Sequence, residues 1–98
     1  MVWAVVIETG MVEVRPGSVL ERRIQCVPAL LPGWRIPALR WCFDAHGRSY
    51  IAYIERDEPE CFIAPSSMRT PAAAIREAMR RAREHNPLNA LSEKDDTQ

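Results

Sequence analysis

The residues of this chain that could do covalent chemistry lie in the segment CFDAH, which begins at Cys42. A cysteine nucleophile needs a base within hydrogen-bonding distance and an acid that orients the base. Cys42, His46 and Asp44 have these chemical types, and residues two apart in a strand share a face. The simpler interpretation is a buried thiol, an aspartate that opens a turn and an exposed histidine. We therefore expect neither an enzyme nor a catalytic residue.

Metal and cofactor chemistry is not indicated either. Cys26, Cys42 and Cys61 are widely spaced and show no CxxC pair, which structural zinc sites usually contain. Their odd number also argues against a disulfide framework, and each lies in an apolar run, which predicts buried thiols. The four glycines are scattered and none opens a predicted helix, so no phosphate-binding loop is predicted. We expect no metal and no cofactor.

Arginine gives the strongest one-signed pattern in the chain. Arg76, Arg80 and Arg83 follow one another at helical spacing within the segment 70–86, TPAAAIREAMRRAREHN. A guanidinium forms bidentate contacts with carboxylates and phosphates, so this stripe is a candidate binding surface for an acidic partner. The alternative interpretation is a solvated outer face without a binding role.

The segment that carries these arginines is predicted to be an amphipathic helix. Thr70 can cap its first turn, Pro71 suits the first helical position, and Asn86 suits the end. One apolar stripe is predicted to pack against the rest of the domain, and it consists of Ala72, Ile75, Met79 and Ala82.

Upstream of the helix, β-branched and alternating residues predict short strands. The predicted strands are Val2–Glu8, Met11–Arg15, Val19–Val27, Leu39–Asp44, Ser49–Glu55 and Glu60–Ala64. Thr9 and Gly10 are a predicted turn, and a four-residue connection that contains Gly47 joins the two strands of a hairpin. The segment 28–38, PALLPGWRIPA, contains three prolines and a glycine and is predicted to be an irregular apolar loop that carries Trp34.

These elements predict the α+β class, with an antiparallel sheet of five to six short strands and one C-terminal amphipathic helix packed on one face. The length of 98 residues suits one domain, which we place at residues 1–86, followed by a flexible acidic tail at 87–98. The formal net charge of zero argues against a general polyanion binder. The apolar N-terminus is too short to span a bilayer and lacks the pattern of a signal peptide, so we expect no membrane association and a cytoplasmic location.

Nucleic-acid binding is one functional hypothesis. The predicted hairpin carries arginines and aromatic residues, among them Arg40, Arg48 and Tyr53, and such strands can enter a major groove or stack on bases. In element order, the segment 39–83 resembles the three-strand-plus-helix domains of phage-integrase arm type, on the short sequences RW and GRSYIAYI. The resemblance implies nucleic-acid binding, and the first 38 residues lie outside it.

Protein interaction is the hypothesis that we favour. Trp, Tyr and Arg dominate interface hot spots, and three tryptophans are many large apolar groups for so small a chain. We predict a small regulatory module, similar in profile to bacterial or phage regulators, inhibitors and antitoxin-like proteins. It would bind a specific acidic protein partner, or a second copy of itself, through a basic helix face and an apolar loop, with nucleic acid as the second choice. The predicted partner-binding residues are Arg76, Arg80, Arg83, Trp34, Arg40 and Arg48.

Overall fold

The computed structural model describes residues 8–85, where the chain forms four strands and two helices. In chain order they are β1 (Glu8–Met11), α1 (Val19–Leu30), β2 (Trp34–Asp44), β3 (Gly47–Asp57), β4 (Glu60–Ile63) and α2 (Pro71–Glu84). The α+β class with an antiparallel sheet is confirmed. For this part of the chain, the expectation of five to six strands and a single helix is wrong.

Some predicted features lie outside the described residues. They are the strand Val2–Glu8 apart from its last residue, the helix end at Asn86 and the tail 87–98.

The sheet is a meander in which each strand pairs antiparallel with the next, in the order β1-β2-β3-β4. The predicted hairpin is confirmed, but its strands are longer and its connection shorter than expected. Asp44 pairs with Gly47, which leaves only residues 45–46 in the turn. Gly47 has a φ of +107°, a backbone conformation that favours glycine.

The predicted turn at Thr9 and Gly10 is wrong, because both residues lie inside β1. Gly10 pairs with Trp41 of β2, and a Cβ on Gly10 would meet the indole ring at only 3.0 Å. Glycine is therefore favoured here by the close approach of a ring rather than by a change of chain direction. The predicted strand Met11–Arg15 shares only its first residue with β1.

The predicted strand Val19–Val27 is wrong, because these residues form most of α1. The Ser18 hydroxyl accepts a hydrogen bond from the Glu21 amide at 3.1 Å, and the Glu21 carboxylate accepts one from the Gly17 amide at 2.8 Å. This reciprocal pattern satisfies amides that a helix start otherwise leaves without partners. The apolar residues that face the core follow helical spacing, and they are Leu20, Ile24, Val27 and Leu31.

The predicted irregular loop 28–38 is also mostly regular. Pro28 begins the last turn of α1, and β2 begins at Trp34. Pro37 lies inside β2, at a register shift between Arg35, which pairs with Glu55, and Ala38. A proline has no amide to give to the ladder, so it is tolerated in a strand at such an irregularity.

Helix α2 is predicted correctly in its start and in most of its buried face. The Thr70 hydroxyl accepts a hydrogen bond from the Ala73 amide at 3.1 Å, and Pro71 occupies the first helical position. The residues of α2 that are buried are Ala74, Ile75, Ala78, Met79 and Ala82, whereas the predicted Ala72 is only half-buried. Three alanines on this face allow the helix to lie close to the sheet.

The two helices cover one face of the sheet, and within residues 8–85 no helix packs on the other face. α1 packs on β2, α2 packs on β3, and the helices contact each other. Leu39, Ala52 and Ile54 are buried beneath them. Because side chains alternate along a strand, Arg40 and Tyr53 project from the opposite face, which we call the open sheet face.

Both helices end at the same end of the sheet. α1 leads through Leu31 and a short turn into Trp34, which pairs with Arg56 near the end of β3. The Arg56 guanidinium lies 4.7 Å from the Trp34 ring centre and donates hydrogen bonds to the backbone oxygens of Pro59 and of His85, the residue after α2. A cation at the carbonyl end of a helix is also favourable for the helix dipole. Arg56 thus joins the start of β2, the β3–β4 turn and the end of α2.

Candidate functional site

An open groove of about 470 Å³ lies between α1 and α2, and we call it the arginine groove. Its volume falls within the range of about 300–1,000 Å³ that is typical of binding pockets. The apolar part of its lining consists of Val19, Cys26 and Leu30 from α1, with Ile75 and Met79 from α2. Val19 is 65% exposed and Leu30 is 61% exposed, so this lining includes large apolar side chains that the fold leaves in contact with water.

Four arginines complete the lining of the groove, Arg22 and Arg23 from α1, and Arg76 and Arg83 from α2. All four residues are exposed. Within residues 8–85, the guanidinium groups of Arg22, Arg23 and Arg76 form neither a hydrogen bond nor an ion pair. The groove therefore combines an apolar lining with three cations, Arg22, Arg23 and Arg76, that have no compensating carboxylate among residues 8–85.

Arg80 has a different environment, although the sequence places it in the same stripe. Its guanidinium donates to both carboxylate oxygens of Glu77, at 3.0 and 2.8 Å, and to Glu84 at 2.6 Å. Glu77 also accepts a hydrogen bond from Arg81 at 3.2 Å. Hydrogen bonds from Arg80, and then from Arg81, lower the pKa of Glu77 to about 2. The predicted stripe is therefore divided, with Arg76 and Arg83 in the groove and Arg80 within an ion-pair cluster.

Trp34 does not lie on a surface. Its side chain is 2% exposed and belongs to the hydrophobic core, where Arg56 covers the ring. A buried side chain cannot contact a partner without rearrangement of the fold, so Trp34 is not part of the arginine groove. Of the apolar loop predicted around it, Leu30 lines the groove and Leu31 is buried.

Arg40 and Arg48 lie on opposite faces of the sheet and away from the arginine groove. The Arg48 guanidinium lies 4.9 Å from the Trp41 ring centre, on the face that the helices cover. The Arg40 guanidinium lies 5.8 Å from the Tyr53 ring centre, on the open sheet face. The six predicted binding residues are thus distributed over the groove, the ion-pair cluster of α2, both faces of the sheet and the core.

The open sheet face carries a row of aromatic side chains beside charged groups. Tyr53 stacks on Phe62 with ring centres 5.6 Å apart, and Phe62 is 59% exposed. At one end of this face, Arg35 forms ion pairs with Glu55 and Asp57. The hydrogen bond and charge of Arg35 lower the pKa of Asp57 below its ordinary value.

The segment CFDAH is divided between a strand and a turn. The Cys42 thiol lies 3.9 Å from the Thr9 hydroxyl, in contact with β1. His46 is in the β2–β3 turn, where its backbone oxygen accepts a hydrogen bond from Arg69 at 3.1 Å. The prediction of three buried thiols is wrong, because Cys26 is exposed in the groove and Cys42 and Cys61 are only half-buried. The apolar run around Cys26 belongs to an amphipathic helix, and Cys26 lies on its outer side.

Residues 8–85 contain no group of three or more His, Cys, Asp or Glu side chains placed to hold a metal ion. Neither helix in this range has the length and apolar character that crossing a membrane requires. The chain matches no known protein-family model, no curated protein sequence and no solved structure.

The arginines of α1 are the part of the groove that sequence reasoning missed. The sequence feature that could have revealed them is the capping pattern of Ser18 and Glu21, because it predicts that a helix begins here. On a helix, Arg22, Cys26 and Leu30 are four residues apart and share a side, as they do in the groove.

Proposed function

We propose that this chain is a small, non-enzymatic regulatory module that binds an acidic amphipathic segment of a protein partner in the arginine groove. The observation that carries the proposal is the combination of exposed apolar side chains with three guanidinium groups that have no carboxylate partner among residues 8–85. An apolar groove alone would suit many occupants, but arginines contributed by both helices favour one with negative charge. A cytoplasmic location, where such a regulator would meet its partner, is part of the proposal.

A helix is the form of partner that suits this groove. In helix-in-groove recognition, apolar residues at i, i+3, i+4 and i+7 enter a hydrophobic groove. The α1 side runs from Val19 to Leu30, which at 1.5 Å per residue is about 16 Å, or three turns of a bound helix. Carboxylates on both flanks of the partner's apolar stripe would then meet the arginines of α1 on one side and those of α2 on the other.

Apolar burial and exposed ion pairs would contribute differently to the affinity and to the specificity of binding. Covering the exposed parts of Val19 and Leu30 would contribute about 1–2 kcal/mol each, at about 25 cal/mol per Å² of apolar surface. The arginine contacts lie near solvent, where an ion pair contributes about 0.2–1 kcal/mol. Apolar burial would therefore supply most of the affinity, and the arginines would select acidic partners over neutral or basic ones and speed association.

A second candidate is binding of single-stranded nucleic acid on the open sheet face. The specific observation in its favour is the row formed by the Arg40 guanidinium, the Tyr53 ring and the exposed Phe62 ring. Single-strand-binding proteins use such rings to stack bases. The carboxylates of Glu55 and Asp57 at one end of this face would repel phosphates, which is why we rank this function second.

The proposed function can be tested with a synthetic probe and the full chain. The probe is a dye-labelled helical peptide with leucines at i, i+3, i+4 and i+7 and glutamates on both flanks, and its control has glutamines in place of the glutamates. Fluorescence anisotropy should show saturable binding of the probe that weakens as salt is added, because salt screens exposed ion pairs. The glutamine peptide should bind more weakly at low salt.

Three outcomes would contradict the proposal. Equal affinity for the glutamate and glutamine peptides would mean that the arginines do not select the partner. Displacement of the probe by an anionic amphiphile such as laurate, with tighter binding of the amphiphile, would indicate a lipid-like ligand instead. Binding of a single-stranded oligonucleotide that is lost in Arg40→Glu, with no binding of the probe, would favour the second candidate.

A further inference from the structure

The last residue that the structure describes, His85, lies beside one end of the arginine groove. α2 ends at Glu84, and Arg83, which lines the groove, is only two residues before His85. Leu30, at the end of α1, lines the same groove, and both helices end at the same end of the sheet. Residues 86–98 therefore begin three residues after a groove-lining arginine.

Residues 86–98 have the composition that the groove requires. The segment reads NPLNALSEKDDTQ, with apolar Leu88 and Leu91 followed by Glu93, Asp95 and Asp96. These three carboxylates outnumber the one basic side chain, Lys94. Counted from His85, the two leucines therefore come before the three acidic residues.

From the same end, the groove presents Leu30 and Arg83 first, then Cys26 and Met79, and then Arg22, Arg23 and Arg76 in the earlier turns of the two helices. Along α2, the distance from Arg83 back to Ile75 is about 12 Å at 1.5 Å per residue. An extended chain spans about 3.3 Å per residue, so Leu91 can reach about 20 Å from His85 and Asp96 about 36 Å. The two leucines can therefore reach the apolar lining, and the carboxylates can reach the arginines in the earlier turns of both helices.

We propose that residues 86–98 occupy the arginine groove of their own chain and compete there with the acidic segment of the partner. This inference rests on the proposed function, because it assigns to the same groove an occupant of the same chemistry. A short linker holds a tethered ligand at an effective concentration on the order of 1 mM. A tail segment whose own dissociation constant is about 0.1–0.5 mM would then weaken partner binding about 3–10-fold.

The test compares variants of the full chain in their affinity for the dye-labelled glutamate peptide. One variant neutralises the acidic residues of the tail, Glu93→Gln, Asp95→Asn and Asp96→Asn, and a second variant replaces Leu88 and Leu91 by serine. We expect the probe to bind both about 3–10-fold more tightly than it binds the unaltered chain. The matched control, Ser92→Ala with Thr97→Ala, changes the same segment without changing its charge and should bind as the unaltered chain does.

A competition arm identifies the occupant directly. A synthetic peptide with the sequence of residues 86–98 should displace the probe from the tail-neutralised chain, and the same peptide with Leu88 and Leu91 replaced by serine should not. Equal probe affinity for all tail variants would overturn the inference and leave the proposed function standing. If the affinity for the probe fell as the protein concentration rose, the tail of a second copy would be the occupant of the groove. That result would overturn the inference as well. Absence of probe binding to every variant would instead refute the proposed function itself.

Discussion

Reversal of one charge in the arginine groove is the most informative perturbation of the proposed interaction. Arg76 is one of four arginines in the lining, so Arg76→Glu changes their summed charge from +4 to +2. The reversal removes one exposed ion pair, worth about 0.2–1 kcal/mol, and adds a repulsion of similar size. A total of about 0.4–2 kcal/mol corresponds to about 2–30-fold weaker binding of the glutamate peptide.

The assay is fluorescence anisotropy with the glutamate peptide, run on the full chain at about 0.1 M salt. Arg40→Glu is the matched control, because it makes the same change of net charge on the open sheet face. Its effect should stay below about twofold, since the two faces are separated by the sheet and salt screens charges beyond about 10 Å. An equal loss of affinity in the two variants would contradict this prediction, because the change of net charge alone would then explain the loss.

A second control lies on the same helix, four residues from Arg76. Arg80→Gln and Arg76→Gln remove the same charge, but only the Arg80 side chain is held by Glu77 and Glu84. Arg76→Gln should weaken peptide binding about 2–5-fold and leave the free energy of unfolding within about 0.5 kcal/mol. Arg80→Gln should lower the stability of the fold and change binding less than twofold. A reversal of these two patterns would place the functional arginine in the ion-pair cluster instead.

Three further predictions concern the groove, the first helix and the ion-pair cluster. Leu30→Ala should weaken peptide binding about 5–30-fold with little change in thermal midpoint, because its side chain is 61% exposed; a loss of stability without a loss of binding would contradict this. Ser18→Ala should lower the free energy of unfolding in urea by about 0.5–2 kcal/mol, whereas Ser66→Ala, at an exposed position without a capping bond, should not; equal effects would argue against the cap. The pKa of Glu77, about 2 in the folded chain, lies below its ordinary value of 4.5, so its carboxylate stabilises the fold above about pH 5, and this contribution is lost as the pH falls towards 2. Glu77→Gln should therefore be less stable than the unaltered chain at pH 7 and equally stable near pH 2, and a stability difference that did not change with pH would refute the assignment.

The second helix could be predicted from sequence because its local signals agree with one another. Thr70 and Pro71 mark its start, and apolar residues at helical spacing mark its buried face. The hairpin was predictable for a similar reason, since alternating residues flank a turn with a glycine. In both elements the local pattern and the tertiary contacts favour the same structure.

The first helix was mistaken for a strand because its residues fit two periods. Leu20, Ile24 and Cys26 share one face of a strand, whereas Leu20, Ile24 and Val27 share one side of a helix. The feature that favours the helix over the strand is the hydrogen bond from the Glu21 amide to the Ser18 hydroxyl, because this bond caps the first turn of a helix. Pro28 also favoured a loop, but it lies in the last turn, where the helix is about to end.

The groove itself could not be predicted, because it joins side chains about fifty residues apart. Arg22 and Arg76 line one surface only because α1 and α2 pack side by side on the sheet. The spacing of residue types along the chain does not predict that the two helices contact each other. The pairing of Arg80, in contrast, was readable, since Glu77 and Glu84 stand three residues before it and four residues after it.

The most direct test of the central claim is a titration of the isotope-labelled full chain with the glutamate peptide, followed by amide chemical shifts. We expect the largest shift changes on the facing sides of α1 and α2, at Arg22, Arg23, Leu30, Arg76 and Met79. Shift changes centred on Tyr53 and Phe62, or no saturable change at all, would contradict the claim that the arginine groove is the binding site.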